Sequence, residues 1–349
     1  MAHQLFRILV AILATAFLLS SATGQTMDQK LRKAMNAGKL EGLHSAVVVL
    51  TGKLIASSYF SGMDERWGRP LGNVEHGFTT LHDTRSITKS VVSLLYGIAL
   101  ADHDVPDINQ PLLDFFPDYQ DLRDGSAREQ ITVRDALIMK MGTKWNEDLP
   151  YTNPRNSEIA MEMADGIAPG KTWSYNGGAV AILAKLISEG TGQSIEHFAQ
   201  QKLFAPLGIT EFEWVKGADG VPSAASSLRL TASDLAKIGT MIAQNGQYQN
   251  GQYKGQQIVP KDWLEASFQP ASTLRNGVQY GVLWYLASGP IGDQIIFALG
   301  NGGQRLTIQP RTRFVVSTFT GNYNGPKAWQ LSLKVLLEYV IPEASKHRK

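Results

Sequence analysis

The sequence predicts an α/β protein of the α+β kind. An antiparallel sheet is built from both ends of the chain and flanked by helices, with an all-helical region inserted between. Three observations carry this expectation. HSAVVVLTGKLIASSYFSG (44–62) holds two β-rich runs on either side of Thr51-Gly52-Lys53, a hairpin pattern. In the middle of the chain, apolar residues recur at helical spacing. From residue 280 onward short β-rich runs return, separated by Gly, Pro and polar turns. Consecutive hairpin-like strands favour antiparallel pairing, because parallel neighbours need a long crossover.

Taken in order, the chain opens with MAHQLFR, one positive charge, and then ILVAILATAFLLS, an apolar run over residues 8–20. Ala22 and Gly24 follow as a small-x-small exit. Charged start, short apolar core and small-residue exit predict a signal peptide over 1–24, cleaved after Gly24. The run is shorter than the roughly 20 residues that span a bilayer. The expected product is therefore exported, periplasmic or extracellular, with no stable membrane insertion. After the first hairpin, SITKSVVSLLYGIAL gives a helix with apolar residues at 87, 91, 94, 95 and 98. In ITVRDALIMK, Thr132 and Asp135 form a capping-box pattern with the shorter acid. Further helices are expected over 156–164, 178–189, 194–204 and 231–244. YGVLWYLA, DQIIFALG, QRLTIQP and RFVVSTFTG supply the returning strands, and a last helix is expected over 327–340. This divides the mature chain into a sheet domain (25–85 and 225–349) and a helical domain (86–224), with a cleft between them.

Bulk properties exclude several classes of function. With 33 basic and 31 acidic residues the formal charge is +2, no electrostatic footprint for nucleic acid or an anionic membrane. Absence of cysteine removes disulfides, thiol nucleophiles and thiolate metal sites. The seven histidines are spread along the chain without a ligand spacing such as H-E-x-x-H, so no metal site and no cofactor are expected. GIAPGKT (166–172) has one residue too few between its glycines for a phosphate loop, and no G-x-S-x-G elbow is present.

Ser86 and Lys89 remain as the pair that could carry chemistry. Ser-x-x-Lys is weak by itself, since about one match is expected by chance in a chain this long. Placement raises it. Residues three apart share a helix face, and a helix start carries positive potential that disfavours an ammonium and favours an oxyanion. The plain alternative makes Ser86 a helix cap and Lys89 a solvated charge. Tyr175 stands at the last polar turn before a helix, and ALGNGGQRLTIQP (298–310) places Gly300, Gly302 and Gly303 between β-rich runs. Glycines there mark a close backbone approach or a plain turn.

In the order S-I-T-K, PG…Y-N-G and G-N-G-G-Q, the chain resembles the serine hydrolases of the penicillin-binding-protein and class C β-lactamase superfamily. Their elements are Ser-x-x-Lys, Tyr-x-Asn and Lys-Thr-Gly. The resemblance spans nearly all of the mature chain and implies a β-lactamase/transpeptidase-like fold. It also implies that Ser86 is the acylated nucleophile and that Lys89 and Tyr175 share the proton traffic, either being the base. The backbone N–H groups of Ser86 and Gln304 would form the oxyanion hole. Asn301, Gly302 and Gly303 would meet substrate, with Asn176, Trp145, Tyr151 and Arg305 as further candidates, Trp145 and Tyr151 being equally suited to packing. Two departures stand out. Gly177 replaces the amide of Tyr-x-Asn, leaving Asn176 one place off, and Asn301 replaces the lysine that draws in a carboxylate. Arg305 could restore that charge. The expected activity is hydrolysis of an ester or amide in a small-molecule or peptide-like substrate. A true β-lactamase or D,D-carboxypeptidase, and a non-catalytic ligand-binding relative, are the alternatives.

Overall fold

A computed structural model describes residues 25–147, 156, 160–161, 168–217, 220–249, 253–289 and 291–347. The expected leader at 1–24, Tyr151 and most of the helix expected over 156–164 lie outside the described residues. In chain order, helix α1 (Met27–Asn36) precedes strands β1 (Leu43–Leu50), β2 (Lys53–Tyr59), β3 (Ser61–Arg66), β4 (Arg69–Glu75) and β5 (His82–Asp83). Helices α2 (Ile87–Ala101), α3 (Val133–Leu137), α4 (Gly177–Thr191) and α5 (Ile195–Ala199) follow. Strands β6 (Glu213–Trp214) and β7 (Leu228–Leu230) lead into helices α6 (Ala232–Ala243) and α7 (Lys261–Ser267). The chain then adds β8 (Ser272–Thr273), β9 (Gln279–Tyr280), β10 (Tyr285–Ser288), β11 (Gln294–Leu299), β12 (Arg305–Gln309) and β13 (Phe314–Thr320). Helix α8 (Trp329–Val335) closes onto a wider turn and a final helical turn over Ile341–Ser345.

Eight of the strands form one antiparallel sheet in the order β2-β1-β13-β12-β11-β10-β9-β8, so strands from both ends of the chain pair side by side within it. Every residue of β1 is buried, because its two alternating sets of side chains serve two cores. Ala46, Val48 and Leu50, with Phe314 and Val316, pack against Met27 and Leu31 of α1 and against Val335 of α8. Val47, Val49, Val315, Leu306 and Ile308 face the other way, into a core that includes α6, α2 and α4. The first hairpin turns through Thr51 and Gly52, both at positive φ, the geometry of the tight turn that matches strand twist.

Several expected elements differ in extent. Around Thr132 the capping box forms with both reciprocal bonds, but the helix stops at Leu137, and Met139 takes a positive φ that no helix continues through. The helix expected over 194–204 is α5 followed by a wider turn over Gln200–Phe204. A second hairpin, β3–β4, and a three-stranded sheet β5-β7-β6 are additions the sequence patterns did not reveal. Their strands carry mixed exposure or only two or three residues, too few for a visible alternation. The spread of histidines along the chain also needs correction: His44, His76 and His82 gather in space, with rings 4.1–5.5 Å apart.

Candidate active site

Asp83 ends β5, and Arg85 turns the chain with a φ of +52° before Ser86 opens α2. A left-handed conformation at a residue with a Cβ costs about 1–2 kcal/mol and persists only where surroundings impose it. Here they do. Arg85 is ion-paired with Glu65 and, at 3.2 Å, with Asp83, and its guanidinium lies 4.8 Å from the Tyr323 ring centre. Thr84 fixes the same turn by hydrogen bonds from its N–H (3.0 Å) and hydroxyl (2.8 Å) to Leu228 O. The Ser86 side chain makes no capping bond, which removes the plain structural reason for a serine there.

One helical turn on, Lys89 is 1% exposed, so it is not a solvated charge. Its Nζ stands 3.2 Å from Ser86 Oγ and donates to Ala225 O at 2.8 Å. Burial lowers its pKa to about 8, while the negative charge of Glu147 pulls the other way. Tyr175 completes the group: its ring centre is 4.8 Å from Lys89 Nζ, and its hydroxyl interacts with the Ser86 side chain. Burial pushes the phenol well above its ordinary pKa, the Ser86 interaction opposes this, and Glu147 adds to it. The structure thus brings Ser86, Lys89 and Tyr175 together from segments far apart in sequence.

The remaining candidates fare differently. The turn at 300–304 closes with Gly300 N–H donating to Gln304 O at 2.9 Å, and a Cβ on Gly300 would run into Thr84 O. Gln304 therefore lies beside the segment that carries Ser86. Asn301 is exposed and tied to Asn324, its Nδ2 donating to Asn324 Oδ1 at 2.9 Å. Gly302 and Gly303 are buried, and side chains there would strike Tyr323, Thr320 and Ala328. Their smallness is explained by packing. Asn176 caps α4 through Oδ1, which accepts from Ala179 N–H at 2.9 Å, and its Nδ2 donates to Thr143 Oγ1 at 3.1 Å. That correction follows from its place one residue before the helix, where an Asn is most useful as a cap. Trp145 packs against α4 at Gly178. Arg305 is 7% exposed, lies 5.3 Å from the Phe297 ring centre and bonds Ser332 Oγ at 3.4 Å. Strand alternation points it away from Leu306 and Ile308, on the sheet face opposite α2 and α6. It cannot stand in for the missing lysine of the 301–303 element.

Sequence reading missed other groups at the site. Glu147, in the Trp145-Asn146-Glu147 stretch, accepts the Gly177 N–H at 2.7 Å and acts electrostatically on both Lys89 and Tyr175. Trp173, Tyr280 and Tyr285 extend the Tyr175 ring into an aromatic wall, with successive ring centres 6.2, 5.4 and 5.0 Å apart. An open groove of about 750 Å³ adjoins that wall at Trp173; it is lined by Lys140, Lys171 and residues 271–275, and does not itself include Ser86. Chemically, a hydroxyl within reach of a buried amine and a neutral phenol is equipped for nucleophilic attack with local proton transfer.

Comparison with known proteins bears on the fold and the family of the chain. A lovastatin esterase from Penicillium rubens is 26% identical over 263 residues, a match covering 66% of this chain. The chain spans 62% of that esterase's length. The octameric penicillin-binding protein homologue from Pyrococcus abyssi superposes with a TM-score of 0.69 at 18% identity, covering 91% of this chain and 78% of its own. A β-lactamase/D-alanine carboxypeptidase from Pseudomonas syringae gives 0.66 at 15% identity, covering 89% and 97%. These likenesses give the β-lactamase/transpeptidase fold. The family model described as Beta-lactamase matches residues 27–334, so this chain is a member of the β-lactamase family of hydrolases.

Proposed function

We propose that this protein is an exported serine hydrolase that cleaves an ester or amide through an acyl-enzyme on Ser86. The reaction would take place in a cleft between a sheet domain (25–85 and 225–349) and a helical domain (86–224). The observation that carries the proposal is Lys89 Nζ at 3.2 Å from Ser86 Oγ, in burial that lowers the amine to about 8. Ser86 Oγ attacks the carbonyl carbon as its proton passes to Lys89. The leaving alcohol or amine takes a proton as its bond to carbon breaks, and water then releases the acid and frees Ser86. Between the two candidate bases, Lys89 is the better matched to neutral pH, because the buried phenol of Tyr175 holds its proton far more tightly. Tyr175 then acts as a proton carrier toward the leaving group. The backbone N–H groups of Ser86 and Gln304 receive the developing oxyanion.

The esterase relative and the uncharged Asn301 favour an ester or amide without an obligatory carboxylate. A second reading, a β-lactam or peptide carboxylate, draws on the cationic lining of the neighbouring groove by Lys140, Lys171 and Arg275. Intact-mass spectrometry of the full chain with a fluorophosphonate tests the nucleophile. One adduct on the wild type and none on Ser86→Ala is expected, and equal behaviour of the two sinks the proposal. A panel of nitrophenyl esters, short peptides and β-lactams then separates the two substrate readings.

A further inference from the structure

We propose that His44, Asp64 and His76 form a binding site for one divalent transition-metal ion, zinc being the best match. The site is separate from the Ser86 group and braces the hairpin β3–β4 against β1.

The three side chains come from β1, β3 and the residue just after β4, and their ligand atoms lie within 4.8 Å of one another. His76 Nε2 and Asp64 Oδ2 are 3.9 Å apart. Tetrahedral zinc with bonds near 2.0–2.2 Å sets its ligand atoms about 3.4 Å apart. The His44 and His76 rings are stacked at 4.1 Å and 19°, so closing on the ion requires one imidazole to turn out of the stack. All three residues are nearly withdrawn from solvent, at 0, 5 and 7% exposure in chain order. No hydrogen bond reaches His44 Nε2, Asp64 Oδ2 or His76 Nε2. Other buried polar atoms of the fold also lack a bond, and these three are set apart by lying together on groups that can ligate a metal.

The surrounding bonds leave lone pairs at these positions. His82 Nδ1 sits 2.9 Å from Asp83 O, and a carbonyl can only accept, so Nδ1 carries the proton and Nε2 is bare. That bare Nε2 lies 2.9 Å from His44 Nδ1, which must therefore donate. In a neutral ring, His44 Nε2 is then left with an unused lone pair. Tyr323 Oη donates to Asp64 Oδ1 at 2.7 Å, leaving Oδ2 as the open oxygen. Outer partners that fix the tautomer of a histidine and orient a carboxylate are what supports metal ligands. Gly62 and Gly321 flank the His44 ring, and a Cβ on either would occupy the space beside its Nε2. Two imidazoles and one carboxylate suit a borderline ion such as Zn²⁺ rather than Mg²⁺ or Ca²⁺. Such an ion would tie down the segment His82–Arg85 that leads into Ser86. Its role is to hold this region, not to enter the reaction.

The test uses full-length protein stripped with a chelator and titrated with Zn²⁺ against a chromophoric competitor. One equivalent bound at sub-micromolar Kd is expected, with the thermal midpoint rising on addition. His76→Ala and Asp64→Asn should each weaken binding at least 100-fold, whereas His197→Ala on the exposed surface should not. Co²⁺ added to the unmodified chain provides a check independent of variant folding, and a tetrahedral ligand-field spectrum is expected. The proposal is overturned if the stripped wild type binds no equivalent tighter than 10 µM. It is equally overturned if His76→Ala binds as tightly, or if Co²⁺ shows only the spectrum of the hydrated ion.

Discussion

Lys89→Met keeps an unbranched side chain of similar length and removes the amine. Burial lowers Lys89 from 10.5 to about 8. At 1.36 kcal/mol per pK unit, the fold therefore disfavours the charged amine by about 3 kcal/mol at pH 7. Against this, the variant leaves Ala225 O without the donor that reaches it at 2.8 Å, a loss of about 1–3 kcal/mol. The net change at pH 7 lies between no effect and a gain of about 2 kcal/mol, although turnover is lost. The pH dependence isolates the charge. Below pH 8 the lysine is charged both folded and unfolded, and the full cost is present. Between 8 and 10.5 it is charged only when unfolded, so wild-type stability rises with pH across that window and the cost is gone above it. Met does not titrate. The stability of Lys89→Met relative to wild type should therefore fall by about 2 kcal/mol between pH 7 and pH 10, whatever the lost bond costs. Urea unfolding of both proteins at pH 7, 8, 9 and 10 measures this. A difference that stays constant over the range, or a Met variant that still turns over, would refute the reasoning.

Other outcomes follow from the same geometry. Ser86→Ala should abolish turnover, by at least about 10³-fold, with little change in melting temperature, because the hydroxyl caps nothing. Tyr175→Phe retains the aromatic wall and removes the proton carrier, so kcat for an alkyl ester or an amide, whose leaving group needs a proton, should drop about 10²–10⁴-fold. With an uncharged ester, kcat/KM should rise with pH and level off above about 8 as Lys89 loses its proton. A profile flat from pH 6 to 9 would remove Lys89 as the base. Asn176→Ala should lower stability by about 0.5–2 kcal/mol through loss of the α4 cap, with KM little affected; a large rise in KM would return Asn176 to the substrate.

Much of this was legible in the sequence because period and punctuation agree. VVV and FVVSTF read as strands, and SITKSVVSLLYGIAL reads as a helix of which 13 of 15 residues from Ile87 are buried. The grouping of Ser86, Lys89 and Tyr175 was legible through spacing on one helix and a shared family order, although nothing local reveals that Tyr175 approaches Lys89. What stayed hidden depends on tertiary contact. Arg305 was misplaced because its offset from Gln304 decides its sheet face only once the strand boundaries are known. Gly302 and Gly303 looked like a substrate approach, yet the 320–328 segment is what crowds them. The gathering of His44, His76 and His82 is set by the pairing of β3 with β4 and by β5, none of which has a strong pattern.

The interior position of β1, between β2 and β13, has a consequence during synthesis. Its neighbour on one side is β2, three residues away, but its other neighbour, β13, is encoded roughly 260 residues later. At the usual 5–20 residues per second, the hairpin presents a bare apolar edge for on the order of 10–50 s before its partner exists. Such an edge is a template for pairing with the wrong chain. A holdase that covers residues 43–50 until translation finishes should therefore raise the soluble yield more than one acting only after release.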